Sequence, residues 1–184
     1  MVPNVPWRYR RAMTSPVRIR AIVPDDWRLL RALRLEMLAD TPLAYLETLE
    51  TAEALQDADW RARARRNAQP GSVAFVAEDE DGTWVGTMTV FRRDTLAFLV
   101  SVYVTPTRRG RDAGVTDALL DRVIEWASAQ DGVTELRLEV HESNPRATAY
   151  YRRRGFEMTG RSTPYALDRT QFDLEMVLPL GAEA

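Results

Sequence analysis

Residues 95–104, TLAFLVSVYV, form a nearly continuous run of β-branched and aromatic side chains, the composition of a strand covered on both faces. The run stops at Thr105-Pro106 and passes through the basic, small-residue segment RRGRDAG before turning into DALLDRVIEWA. There Leu119, Leu120, Val123, Ile124 and Ala127 recur at helical spacing. After Asp131-Gly132 the pattern returns to a strand, VTELRLEV, at 133–140. A chain that places these elements in this order is committed to a mixed α/β sheet.

The flanking segments extend that order. VRIRAIV, 17–23, alternates like a half-buried strand. The stretch 24–40 reads as a helix, with acids in its first turn and Leu30, Leu33, Met37 and Leu38 on one stripe. A second helix is predicted over about 51–66, ending in a solvated, arginine-rich turn, RARARR. SVAFVAED and WVGTMTVFR flank Asp81-Gly82, a hairpin signal. SNPRATAYYRRRGF reads as a short helix capped by Ser143 or Asn144, with Pro145 first and Gly155 at its end. Strands near FEMTG and FDLEMVLPL close the order β-α-α-β-β-β-α-β-α-β-β. Residues 1–16 read as a flexible arm, and 17–184 as one domain.

Composition narrows the chemistry. The absence of cysteine excludes disulfides, thiolate metal sites and a cysteine nucleophile. His141 is the single histidine, so a histidine-rich zinc site is not expected, and no metal is assigned. All 25 basic residues are arginine, which leaves no lysine for Schiff-base chemistry. A net charge of -2 and the lack of aromatic interleaving in the arginine clusters argue against nucleic acid as a partner. No apolar run is long enough to span a membrane, and the N-terminus lacks a signal-peptide core, so a cytoplasmic location is expected.

A strand, a basic small-residue loop and a helix start together present free main-chain N–H groups to an anion. Here those residues are Arg111, Asp112, Ala113, Gly114, Val115 and Thr116, with Arg109 and Arg111 supplying charge for phosphates. The glycine spacing fits neither a Walker loop nor a dinucleotide fingerprint.

The segment from Val104 through Arg111-x-x-Gly114-x-Thr116 into the helix resembles motif A of the GNAT N-acetyltransferase superfamily. Downstream, Asn144, Ala147, Tyr151, Gly155 and Phe156 are similar to that family's N-x-x-A-x-x-x-Y-x-x-x-G-F. The resemblance covers roughly residues 17–180. It departs from the family at the loop, where Arg111 lies five residues past Pro106 rather than three, and at Thr116, which replaces a second glycine or alanine.

The resemblance implies a GNAT-like α/β fold: a mixed, mostly antiparallel sheet with helices on both faces, splayed between two central parallel strands. It implies acetyl-CoA as acyl donor, bound by Val102, Tyr103, Val104, Arg109, Gly110, Arg111, Asp112, Ala113, Gly114, Val115, Thr116, Asn144, Ala147 and Tyr151. An amide near Val104 would face the thioester carbonyl as an oxyanion donor. Tyr151 matches the family's leaving-group acid, and Tyr150 is read as core. Alternation places Arg137, Glu139 and His141 on one strand face, which makes His141 the candidate base. Tyr45 and Glu47, an aromatic beside acids, are the candidate substrate contacts for an amine. The partners expected are a coenzyme A thioester and an amine-bearing small molecule or peptide, with a homodimer left open. The lengthened loop carrying Asp112 keeps a second reading alive: a GNAT-like acyl-CoA binder with a regulatory or scaffolding role.

Overall fold

The computed structural model describes residues 17–110 and 113–181. The expected N-terminal arm, 1–16, and two of the expected loop residues, Arg111 and Asp112, lie outside them. Seven strands form one sheet in the order β1-β2-β3-β4-β5-β7-β6. They are β1 (Arg18–Ala21), β2 (Ser72–Glu78), β3 (Trp84–Arg93), β4 (Leu96–Val104), β5 (Glu135–His141), β6 (Glu157–Pro164) and β7 (Phe172–Pro179). Every pairing is antiparallel except β4 with β5. The helices are α1 (Trp27–Asp40), α2 (Leu49–Glu53), α3 (Asp57–Arg66), α4 (Val115–Ser128) and α5 (Pro145–Arg153).

Two apolar clusters show which helices cover which face. Along β2, Phe75 and Ala77 point into a core with Leu119, Leu120 and Val123 of α4 and Tyr151 of α5. The alternate residues, Ala74 and Val76, point into a second core with Leu30, Leu33 and Met37 of α1 and Trp60 of α3. A period of two on the strand thus assigns α4 and α5 to one face and α1 to α3 to the other.

The expected hairpin is present: Gly82 takes φ +83, and the Asp81 carboxylate accepts the Thr83 N–H at 2.9 Å. The helix expected over 51–66 is instead two. Thr48 caps the first, accepting the Thr51 N–H at 3.2 Å. At the second, the Asp59 carboxylate reaches back to the Gln56 N–H at 2.9 Å. Each local cap competes with continued helix, and together they divide the segment. The arginine-rich end, RARARR, closes the second helix with Arg61, Arg65 and Arg66 exposed, as expected, while the helix buries Trp60 and Ala64.

β4 also departs from a strand covered throughout. Ala97 and Leu99 are buried, but Val100 is 40% exposed. At Ser101 the backbone turns left-handed, φ +54, and the register against β3 jumps so that Thr87 pairs with Tyr103 and Thr89 with Val100. Ser101 and Val102 therefore share the place opposite Met88, a β-bulge. Below the bulge β4 pairs with β5 from Leu96↔Glu135 to Phe98↔Arg137, and no further. The two central strands splay apart, as expected. Gly86 permits the tight packing alongside: a Cβ there would stand 3.0 Å from the Tyr103 carbonyl oxygen and 3.1 Å from Leu119.

Candidate active site

The gap between β4 and β5 is lined by main chain whose hydrogen-bonding groups have no strand partner. The Thr105 N–H donates to the Val85 carbonyl of β3 at 2.9 Å. Alternation then turns the main chain of Val104 and Val102 the other way, into the gap. Their carbonyls are held by side chains: the Tyr45 hydroxyl donates to Val102 O at 2.8 Å and Arg109 Nε to Val104 O at 2.8 Å. By the same alternation the Val104 N–H is directed with its carbonyl, and an oxyanion is the kind of partner a preorganised amide accepts.

At one end of the gap stands the start of α4. Gly114 is its N-cap in the left-handed region, φ +65, and among the described residues no side chain caps the helix. The first-turn amides of Val115, Thr116 and Asp117 are orphan donors at the positive end of a 14-residue helix. Asp117 does not cap them. Its carboxylate accepts the Tyr150 hydroxyl at 3.0 Å and Arg154 at 2.7 Å. Tyr150 is accordingly half-buried rather than core, and it ties α5 to α4. Gly110, φ +110, and Ala113 complete the described part of the loop, where the Ala113 N–H reaches Gly110 O at 3.3 Å.

Arg109 turns away from this loop. Besides Val104 O, it pairs with the Asp40 carboxylate and lies 5.4 Å over the Tyr103 ring. It staples β4 to the end of α1, so its charge is not directed at a phosphate. Tyr103 is buried, its hydroxyl donating to Glu36 at 3.0 Å.

α5 begins as its sequence implies. Asn144 caps it, accepting the Ala147 N–H at 3.1 Å, and Ala147 packs against the core. One turn on, Tyr151 is 5% exposed, edge-on to Phe156 with ring centroids 5.4 Å apart. Burial drives its phenol well above the ordinary value, and neighbouring Tyr45 adds to the shift. Tyr45 is itself pushed up to about 12 by burial. Both phenols therefore stay protonated at neutral pH, and the Tyr45 hydroxyl donates at the gap edge of β4.

His141 is held differently from an open base. Its Nδ1 accepts the Ser143 N–H at 3.2 Å, so the ring lone pair is occupied and Nε2 carries the hydrogen. Nε2 is sealed without a partner among the described residues, and the ring packs edge-on to Tyr165 at 4.8 Å. This geometry fits a packing histidine.

Glu47 and Tyr45 come together, but with their polar groups engaged. The Glu47 carboxylate receives Arg63 at 2.7 and 3.0 Å and Arg34 at 2.9 Å. Burial alone would raise its pKa, yet the two guanidinium groups outweigh that and hold it below the ordinary carboxylate range. Arg34 also stacks 4.8 Å over the Tyr45 ring. The sequence reading missed Arg34 and Arg63. The usable signal was Arg63 next to Trp60 and Ala64, a position at the edge of a buried helical face.

A family model described as acetyltransferase (GNAT) family matches residues 32–156, spanning the gap-forming strands, α4 and the Tyr151 helix. The chain belongs to the GNAT acetyltransferase family. No curated protein sequence gave a significant match.

Among solved structures, this GNAT protein is similar to a phosphinothricin acetyltransferase from Sinorhizobium meliloti in complex with AcCoA. The two are 26% identical, with TM-score 0.72, covering 90% of this chain and 89% of that one. It is also similar to a ribosomal-protein-alanine N-acetyltransferase from Brucella melitensis, at 26% identity, TM-score 0.72 and coverage of 89% and 99%. An acetyltransferase of the GNAT family from Streptococcus pneumoniae shares the fold at 19% identity and TM-score 0.76, covering 90% and 99%. The protein is an acetyltransferase that uses acetyl-CoA, and the residues present suit that molecule: the first-turn amides of α4 at one end of the gap and the Val104 N–H along it. Among the described residues no helix is long and apolar enough to cross a membrane.

Proposed function

We propose that this enzyme acetylates a primary amine of a small molecule or peptide, the amine attacking the thioester directly while both substrates are bound. The observation that carries this reading is the gap itself, opened where β4–β5 pairing ends at Phe98 and edged by the Val102 and Val104 carbonyls that Tyr45 and Arg109 hold. Acetyl-CoA supplies an activated acyl group, so no nucleophile on the protein is required.

The first-turn amides of α4, from Val115 to Asp117 beyond Gly114, would hold the pyrophosphate. The Val104 amide would stabilise the charge that develops on the carbonyl oxygen, a contribution of about 3 kcal/mol for one such donor. As the C–N bond forms and the C–S bond breaks, the amine releases a proton and the departing sulfur needs one. Tyr151 has the protonated, buried hydroxyl to donate toward that sulfur. Burial disfavours its phenolate, so the hydroxyl is protonated when the sulfur departs and can hydrogen-bond to it. The lone pair of His141 is taken by Ser143, so we assign the amine's proton to solvent rather than to that ring. Asn144 and Ala147 shape the neighbouring wall through α5.

The test is twofold. Saturating acetyl-CoA should raise the melting temperature by about 5 °C or more, since a ligand at 100 times its Kd contributes about 2.7 kcal/mol. Thiol release should then appear only when an amine is added. A thermal shift without thiol release across an amine library would favour the acyl-CoA-binding alternative, and no shift at millimolar acetyl-CoA would contradict both.

A further inference from the structure

On the sheet face opposite α4, a cavity of about 200 Å³ lies between α1, α3 and the strands β3 and β4. It is lined by Arg34, Arg63 and Arg66 against a single carboxylate, Glu47, and on the sheet side by Thr87, Thr89 and Ser101. Ser101 is the left-handed bulge residue, and the carbonyl of its neighbour Val102 lies on the gap edge of β4, held by Tyr45. The pocket therefore ends where acetyl transfer would occur.

Its charge is arranged rather than incidental. Glu47 clamps Arg34 and Arg63, whose side chains are 13% and 23% exposed, and aromatic rings support both, Tyr45 under Arg34 and Trp60 under Arg63. Such fixed guanidinium forks lose little entropy when they receive a planar oxyanion. Arg66 has no carboxylate partner among the described residues. Three cations facing one anion leave the pocket net positive, and a polycationic acceptor would meet unfavourable charge there.

Resting on the acetyl-transfer reading above, we infer that this pocket is the acceptor subsite and that it selects amines carrying an oxyanion, such as small α-amino acids whose carboxylate seats on the arginines. Glu47 then orients the arginines, rather than meeting the amine as its place in the sequence suggests. The apolar flank supplied by Leu30, Leu33 and Met37 of α1 receives the acceptor's side chain.

The experiment measures thiol release with acetyl-CoA and L-leucine, L-methionine or L-glutamate, each beside its own α-amide, and with spermidine. At least one acid should exceed its amide by about 10-fold or more in kcat/KM, the range of a lost charge-assisted hydrogen bond. Arg66→Gln, an exposed change that leaves the Glu47 clamp intact, should shrink that ratio by raising KM for the acid, with KM for acetyl-CoA unmoved. The inference is overturned if the amides or spermidine match the acids, or if Arg66→Gln leaves the ratio unchanged. If no amine is acetylated, the transfer reading fails by itself. The pocket is then judged by NMR titration with L-leucine and L-leucinamide: selective perturbation of α1 and α3 by the acid supports it, and equal or absent perturbation overturns it.

Discussion

Gly114→Glu is expected to weaken acetyl-CoA binding by about 100-fold or more, about 2.7 kcal/mol. Gly114 sits in the left-handed region at φ +65, and a Cβ there would meet nothing within 4 Å. The substitution therefore causes no clash. It costs backbone strain of about 1–2 kcal/mol and places a carboxylate beside the orphan amides of α4. That charge takes the position of the pyrophosphate and repels it. Gly114→Ala carries the strain without the charge, so it should lower the melting temperature similarly while keeping acetyl-CoA affinity within a few-fold. Isothermal titration of both variants separates the two causes. Near-native affinity in Gly114→Glu would remove the helix start from the binding site.

Tyr151→Phe is expected to reduce kcat by about 100-fold, the lower end for losing a positioned proton donor, with acetyl-CoA affinity unchanged. The ring stays packed against Tyr150 and Phe156, both within 5.4 Å by centroid, so the fold loses no apolar contact. Tyr150→Phe is the control. It gives up the hydrogen bond to Asp117, at a cost of about 1 kcal/mol, and should leave kcat within about twofold because that hydroxyl points to α4. Equal rates for wild type and Tyr151→Phe would exclude the phenol from proton delivery.

Much of this arrangement is written locally and could be read without coordinates. The Asp81-Gly82 hairpin, the apolar stripe of α4, and the Asn144 cap of α5 are each specified by residues within one turn of one another. The stripe was almost fully buried, with Leu119, Leu120, Val123 and Ala127 in the core and Ile124 at its edge. The splay was expected only from family resemblance, and its physical cause was not visible. Ser101 carries no glycine or asparagine signal for a left-handed backbone, so the bulge follows from pairing with β3 rather than from local propensity.

The charged contacts were legible only as residue types. Arg109 looked like a phosphate ligand because it sits in a basic loop, yet Asp40, 69 residues away, claims it. Glu47 looked like an amine contact until Arg34 and Arg63, 13 and 16 residues distant, closed on it. Long flexible side chains choose partners across the fold, and sequence spacing does not encode that choice. For His141 the deciding contact is local. Strand alternation gave its face correctly, but the neighbouring Ser143 N–H decides which nitrogen is free.

Hydrogen exchange measured with and without saturating acetyl-CoA tests the central claim most directly. Beyond Phe98 β4 has no pairing with β5, and the first-turn N–H groups of α4 have no intrahelical acceptor, so the ligand-free protein should exchange both segments quickly. Acetyl-CoA should slow both segments by about 10-fold or more while β2, on the far side of β3, stays unchanged. Unaltered exchange at 101–104 and 113–118 in a protein that still releases thiol would place the acyl donor elsewhere.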